Sequence, residues 1–384
     1  MRINDCHNTE DFRKLARRRL PAPIFHYIDG GADDEVTLRR NTEAFNSWDL
    51  IPNVLAGMET LDLSTTVLGC KLDLPLFLAP TAMQRLFHHD GEKAVASVAA
   101  QMGTLFGVST IATTSIEEIG AYTRGPKLFQ LYVHRDQGLT NDLIERCKAS
   151  RFDALALTVD TIVSGNRERD FYTGMTTPPR FTLSSLASFA LHPGWTLNYL
   201  LRKKFELANV ARYIRQGTDV TSSVVEYINS QMATNISWDD ARRIRESWGG
   251  PFAIKGVISV ADARRAVDIG ATAIMISNHG GRQLDGSRAP LDQLAEIVDA
   301  VGDRIEVILD GGIRRGTHVL KALALGAKAC SGGRLYLYAL TAGGAAGVQR
   351  ALTLLRDEIV RDMMLMGCKS IKELDRSKIA ERPV

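Results

Sequence analysis

Along the chain, short runs of consecutive apolar residues are each followed by glycine or polar residues. Longer stretches then follow, in which apolar positions recur at helical spacing. The apolar runs at residues 74–80, 104–109, 127–133, 154–160, 252–255, 273–277, 306–310 and 329–331 read as eight strands. The stretch 261–269 typifies what lies between them: an amphipathic pattern closed by Gly270, a helix stop signal. Continuous apolar strands alternating with helices imply a parallel sheet covered on both faces. Eight such units predict an α/β chain folded as a (β/α)8 TIM barrel over about 73–360, with all 384 residues forming one domain. Residues up to about 72 read as a helical and then irregular N-terminal cover.

A long insertion, about 161–235, follows the fourth strand. Within it, residues 181–201 contain no Lys, Arg, Asp or Glu, and Arg202, Lys203 and Lys204 come next. The length would permit a membrane span, but His192, Pro193 and Gly194 break the helix. Two short amphipathic pieces ending in a basic cluster suit a patch lying on a membrane surface. A lid or a subunit-contact loop is the alternative.

Polar residues cluster where the strands end, which is where a barrel of this kind carries its site. Thr81, Ser109, Gln130, Tyr132, Thr158, Asp160, Lys255, Ser277, His279, Arg282, Asp310, Arg314, Gly333 and Arg334 all fall there. Glycine-rich turns bearing Arg314 and Arg334 follow the last two strands, the usual phosphate grip of such barrels. His279 is a candidate base that Asp160 could support once protonated. Arg282 and Arg167 suit a small carboxylate. Lys255 is a fixed cation suited to developing negative charge. The residues alone thus suggest a phosphate-bearing cofactor, a carboxylate substrate and a base.

The bulk numbers narrow the classes. Apolar content of 45%, charged content of 24% and a net charge of +3 are ordinary for a globular protein and give no argument for nucleic acid. Five dispersed cysteines show no zinc spacing and read as reduced thiols, so no metal site and a cytoplasmic setting are expected. The N-terminus has no apolar core of a signal peptide. Neither a P-loop nor a dinucleotide fingerprint is present.

Several motifs together carry a family resemblance: FHYIDGGA (25–32), PTAMQ (80–84), FQLY (129–132), LTVD (157–160), IKG (254–256), SNHGGRQLD (277–285) and LDGGIRRG (309–316). Over nearly its whole length the chain resembles the FMN-dependent L-2-hydroxy acid oxidases and dehydrogenases, among them glycolate oxidase, mandelate dehydrogenase and respiratory L-lactate dehydrogenase. The resemblance implies FMN, and it implies that His279 takes a substrate proton while two electrons pass to flavin N5. It makes Asp160 the partner of His279, Arg167, Arg282 and Tyr27 the carboxylate site, and Tyr132 the contact of the substrate hydroxyl. Lys255 would stand beside flavin N1 and O2. Thr81, Ala82, Ser109, Gln130, Thr158 and Ser277 would hold the ring, Asp310 the ribityl chain, and Gly312, Arg314, Gly333 and Arg334 the phosphate.

The resemblance further implies a 2-hydroxy acid substrate and a homotetramer. The long insertion resembles those of respiratory dehydrogenases, which implies a quinone or cytochrome acceptor and a place on the inner face of the cytoplasmic membrane. An oxidase using oxygen is the alternative, as is a larger substrate such as mandelate. Four positions depart from the family pattern. Gly332 and Leu335 flank the last Gly-Arg pair in place of a bulky aliphatic and a Pro or Ala, and Ile111 and Ser164 are smaller than their counterparts in glycolate oxidase. The latter two changes enlarge the pocket, which suits lactate or a larger acid.

Overall fold

The computed structural model describes residues 1–57, 60–176, 179–202, 206–214 and 232–383. Three helices open the chain, α1 (Thr9–Arg19), α2 (Ala22–Asp29) and α3 (Val36–Glu43), followed by three short strands, β1 (Trp48–Leu50), β2 (Thr65–Val67) and β3 (Cys70–Leu72). The eight apolar runs then form the barrel strands β4 (Leu76–Thr81), β5 (Phe106–Ser109), β6 (Lys127–Leu131), β7 (Ala154–Thr158), β8 (Phe252–Val257), β9 (Ala273–Ile276), β10 (Glu306–Asp310) and β11 (Ala329–Gly332). All pair in parallel, β11 closes on β4, and the helices α4 (Gly91–Gln101), α5 (Ile116–Tyr122) and α6 (Gln137–Ala149) follow β4, β5 and β6. A short strand, β12 (Ile379–Glu381), returns to pair antiparallel with β1.

The barrel interior is apolar in its lower half and polar above. Phe77, Leu105, Leu128, Met275 and Ile308 form a separate buried core with Val67, Leu68 and Leu72. The β2–β3 hairpin therefore plugs the floor of the barrel, where the sequence suggested irregular cover. The tie is specific: the Leu68 N–H donates to Glu306 Oε2 at 2.7 Å.

At the opposite end, α2 lies over the rim and brings Tyr27 to the barrel mouth. Asp29, at the end of α2, is buried and accepts from Arg13 Nε at 2.5 Å, Arg169 Nη1 at 3.0 Å and the Tyr338 hydroxyl at 2.8 Å. Burial alone would raise the pKa of this carboxyl, but Arg13 and Tyr338 outweigh it and hold it at about 2. A depressed folded-state pKa stabilises the fold above the ordinary carboxylate value, and that contribution is lost as pH falls through about 2. Wild type is expected to exceed Asp29→Asn in urea midpoint near neutrality, the difference shrinking as pH falls below about 4. A difference independent of pH would contradict the assignment.

The insertion after β7 begins with α7 (Glu168–Thr173) and continues as two helices, α8 (Leu183–Ala190) and α9 (Pro193–Leu201). The break falls at His192 with Pro193 in the first turn of α9, as the sequence indicated. The pair is fastened to the barrel by Trp195 Nε1 to the Leu86 carbonyl at 2.8 Å and by the Ala22 N–H to Ser188 Oγ at 2.9 Å. Its outer face leaves Leu183, Leu197, Leu200 and Leu201 between 54% and 85% exposed. Lys203 and Lys204 of the basic cluster lie outside the described residues. No helix among the described residues is long and apolar enough to cross a membrane.

Candidate active site

A cavity of about 1020 Å3 opens at the C-terminal ends of the barrel strands. Tyr27, Tyr132, Arg167, Lys255, His279 and Arg282 all line it, as do Thr81, Ala82, Ser109, Asp310, Gly312, Arg314, Gly333 and Arg334. Gln130, Thr158, Asp160 and Ser277 stand at the same strand ends, outside the lining. The structure thus gathers every residue singled out from the sequence at one end of the barrel.

His279 sits in a left-handed turn. Its φ is +57°, and Gly280 and Gly281 follow at +67° and +73°. Such a conformation costs a non-glycine residue on the order of 1–3 kcal/mol and must be held by its surroundings. The holding contacts are the His279 N–H on Ser277 Oγ at 3.1 Å and the ring Nδ1 at 3.0 Å from Asp160 Oδ1. With Nδ1–H donated to the carboxylate, Nε2 carries the free lone pair, the arrangement a general base needs. Asp160 comes close because β8 carries Gly256 at φ +110°, where a Cβ would lie 2.7 Å from the Asp160 Cβ. Gln283 Nε2 steadies the segment by donating to the carbonyls of Asp160 at 2.9 Å and Val163 at 2.8 Å.

Two guanidinium groups face the Tyr27 ring, Arg282 at 5.0 Å and Arg167 at 5.5 Å from its centroid. Arg282 Nη1 donates to the Tyr27 carbonyl at 2.6 Å and the Gly30 carbonyl at 3.1 Å, while Arg167 leans on Asp170 at 3.4 Å. Burial, and then the charge of Arg167, lower the Arg282 pKa to about 10. A half-buried cation destabilised by its own neighbourhood is a receptor for an anion. Burial, and then Asp160, push the Tyr132 phenol well up, so it stays a hydrogen-bond donor at neutral pH.

Deeper in the barrel, Lys255 Nζ meets Asp310 Oδ2 at 2.9 Å and Ser277 Oγ at 2.9 Å. Asp310 also accepts from Ser277 Oγ at 2.7 Å and Ser331 Oγ at 2.5 Å. Burial opposes both charges, yet Asp310 raises the Lys255 pKa and Lys255 with the two serines lowers that of Asp310. Both partners are therefore charged, and Lys255 is a fixed cation beside the cavity.

A second anion receptor lies across the cavity. Arg314 is half-buried, its pKa lowered chiefly by loss of solvation, and Nη1 donates to the Ile313 carbonyl at 2.8 Å. Gly333 caps the helix Arg334–Met366, whose N-terminus is a positive pole. The Arg334 side chain, by contrast, braces the rim: it donates to the carbonyls of Ile28, Gly280 and Gly30 at 2.8, 2.8 and 2.7 Å. The departure at Gly332 and Leu335 is a compensated exchange of volume, because a Cβ on Gly332 would lie 2.1 Å from Leu335 Cδ2. Gly332→Ile should therefore lower Tm and weaken cofactor retention, and adding Leu335→Ala should restore both. Failure of the double variant to recover either would contradict the exchange.

Four contributors were not singled out in the sequence. Ser331 orients Asp310, and Gln283 holds the Asp160 segment. Asn41 and Asn278 exchange side-chain hydrogen bonds at 2.8 and 2.7 Å beneath the glycine turn. Gln283 and Asn278 lie inside the quoted SNHGGRQLD motif, so the signal for them was present. Ser331 and Asn41 carried none.

Fold and site together define a barrel enzyme with an anchored anionic cofactor and a base aimed at a small carboxylate. The comparisons agree. A family model described as FMN-dependent dehydrogenase matches residues 16–381. Glycolate oxidase 3 of Arabidopsis thaliana is 40% identical over 372 residues, 97% of this chain and 95% of that one. An L-lactate oxidase of Nostoc sp. is 40% identical over 379 residues, 98% of each chain. A crystal structure of (S)-mandelate dehydrogenase, described as a monotopic membrane protein, superposes with a TM-score of 0.94 at 33% identity, covering 98% of this chain and 100% of that chain. The chain belongs to the FMN-dependent dehydrogenase family, and it is an FMN-dependent 2-hydroxy acid oxidase or dehydrogenase.

The residues present fit FMN. Gln130 Nε2 and Thr158 Oγ1 are buried without a hydrogen-bond partner, although Gln130 Oε1 accepts from Ser109 Oγ at 2.9 Å. Buried polar atoms of this kind call for a ligand or a water. A flavin's polar ring edge would satisfy them, its phosphate would meet Arg314 and the Gly333 helix end, and Lys255 would face the ring. FMN supplies a two-electron acceptor.

Proposed function

We propose that this protein oxidises an L-2-hydroxy acid bulkier than glycolate, L-lactate to pyruvate being the simplest case, and passes the electrons to a quinone or cytochrome. The observation that carries this reading is the placement of one base and two cations on one cavity: His279 backed by Asp160 at 3.0 Å, with Arg282 and Arg167 flanking Tyr27. The arginines fix the carboxylate, which brings the hydroxyl-bearing carbon to His279. Tyr132 donates to the substrate oxygen, and His279 receives a proton that Asp160 helps it keep. Lys255 lowers the energy of negative charge arising on the cofactor side.

The likeness to a dehydrogenase described as a monotopic membrane protein, together with the exposed leucines of α8 and α9, favours a respiratory acceptor over oxygen. A homotetramer, and a place on the inner face of the cytoplasmic membrane, belong to the same proposal by family resemblance alone. An oxidase is the second reading, favoured by the relatives named glycolate oxidase and L-lactate oxidase. The test is reoxidation after anaerobic reduction with L-lactate. Recolouring should be fast with decylubiquinone or cytochrome c and slow in air; fast recolouring in air with release of peroxide would assign the oxidase.

A further inference from the structure

The cavity that holds the catalytic groups does not end with them. Its lining also includes Ile111, Val163, Leu86, Phe87, Phe189 and Trp195, which together make an apolar lobe. Its roof is a chain of rings on the insertion: Phe181 to Phe189 at 4.9 Å, Phe189 to Trp195 at 5.4 Å and Trp195 to Tyr199 at 5.1 Å between centroids. The roof is fastened to the barrel by the Trp195 bond to Leu86. Away from the site, the lining carries one charged side chain among the described residues, Glu206, which has a partner of its own. The cavity of about 1020 Å3 also takes in the glycines and arginines assigned to the cofactor, so the lobe is the part of it on the side of the insertion.

The geometry leaves one part of the substrate to fill this lobe. The carboxylate is assigned to Arg282 and Arg167, and the hydroxyl carbon to His279 and Tyr132. Only the substituent on that carbon remains. We infer that the lobe receives this substituent, and that the preferred substrates are L-2-hydroxy acids with an apolar side chain of several carbons. Lactate places a single methyl group there and leaves the apolar wall unfilled. Each methylene moved from water into such a wall tightens binding about fourfold. The inference rests on the 2-hydroxy acid reading and adds the class of side chain.

The experiment uses the FMN-loaded enzyme and anaerobic rapid mixing with L-2-hydroxy acids lengthened one carbon at a time from lactate to the eight-carbon acid. The apparent Kd for flavin reduction should fall about fourfold per methylene until the lobe is full, while the limiting reduction rate changes little. Thermal stabilisation by the corresponding 2-keto acids, which bind without being oxidised, should follow the same order. Phe189→Ser and, separately, Leu186→Ser, both on the cavity lining, should flatten the series by lowering the preference for the long acid over lactate.

A Kd that stays level or rises beyond lactate would overturn the inference. So would roof variants that leave the series intact and slow only reoxidation by decylubiquinone, because the lobe would then serve the acceptor. Reduction by no member of the series would instead overturn the 2-hydroxy acid reading itself.

Discussion

Replacing His279 by alanine should leave FMN bound and slow anaerobic flavin reduction by about 10²–10⁴-fold, the usual contribution of a positioned general base. The expectation follows from the ring's two nitrogens. Nδ1 is committed to Asp160 at 3.0 Å, so Nε2 is the basic atom, and no other described group on the cavity holds a lone pair in that place. The nearest rivals are unsuited: the Tyr132 phenol stays protonated, and the Asp310 carboxylate is engaged by Lys255 and two serines. Alanine at φ +57° adds backbone strain, so His279→Asn is the companion variant. Asparagine tolerates the left-handed turn better and still reaches for Asp160, but it offers no base. Both variants should be yellow and both slow to bleach. Rapid bleaching of either by substrate would remove His279 from the role.

Arg282→Lys should raise the Kd for substrate and for 2-keto acids about ten- to a hundredfold, at a smaller cost to the limiting rate. Lysine keeps the charge but cannot present two parallel N–H groups to a carboxylate, and one lost charged hydrogen bond corresponds to about 1.5–3 kcal/mol. Arg167 cannot replace it, since it leans on Asp170 at 3.4 Å. The substitution also removes the donor to the Tyr27 and Gly30 carbonyls, which loosens α2 over the mouth. Saturation binding of a 2-keto acid to the oxidised enzyme measures the effect without turnover. An unchanged Kd would refute the assignment.

The barrel was legible because each strand is a continuous apolar run that ends abruptly in a polar residue. Strand order, closure and the catalytic ends follow from that pattern. The floor was not legible: Thr65–Val67 and Cys70–Leu72 are three residues each, too short for a periodic signal, and they are strands because the barrel's open end needs an apolar plug. The break at His192 and Pro193 was readable from the chemistry of proline alone.

Within the site, the residues of the glycine-rich motifs could be named from sequence, but their supports could not. Ser331 is 21 positions from Asp310 and meets it only because β10 and β11 pair with those two residues in register. The Gly332–Leu335 exchange was visible as a departure, and its harmlessness only as a distance. Arg334, expected at the phosphate and on the cavity lining, also directs its side chain to three carbonyls of the rim, a use that becomes visible only once α2 is folded over the barrel.

The most direct test of the whole account is the visible spectrum of the purified protein during anaerobic addition of a 2-hydroxy acid. The oxidised flavin band should be present at the outset and should bleach with the L acid, leaving one equivalent of 2-keto acid per flavin, while the D acid leaves it unchanged. A protein that neither carries nor binds FMN, or a flavin that no L-2-hydroxy acid bleaches, would contradict it.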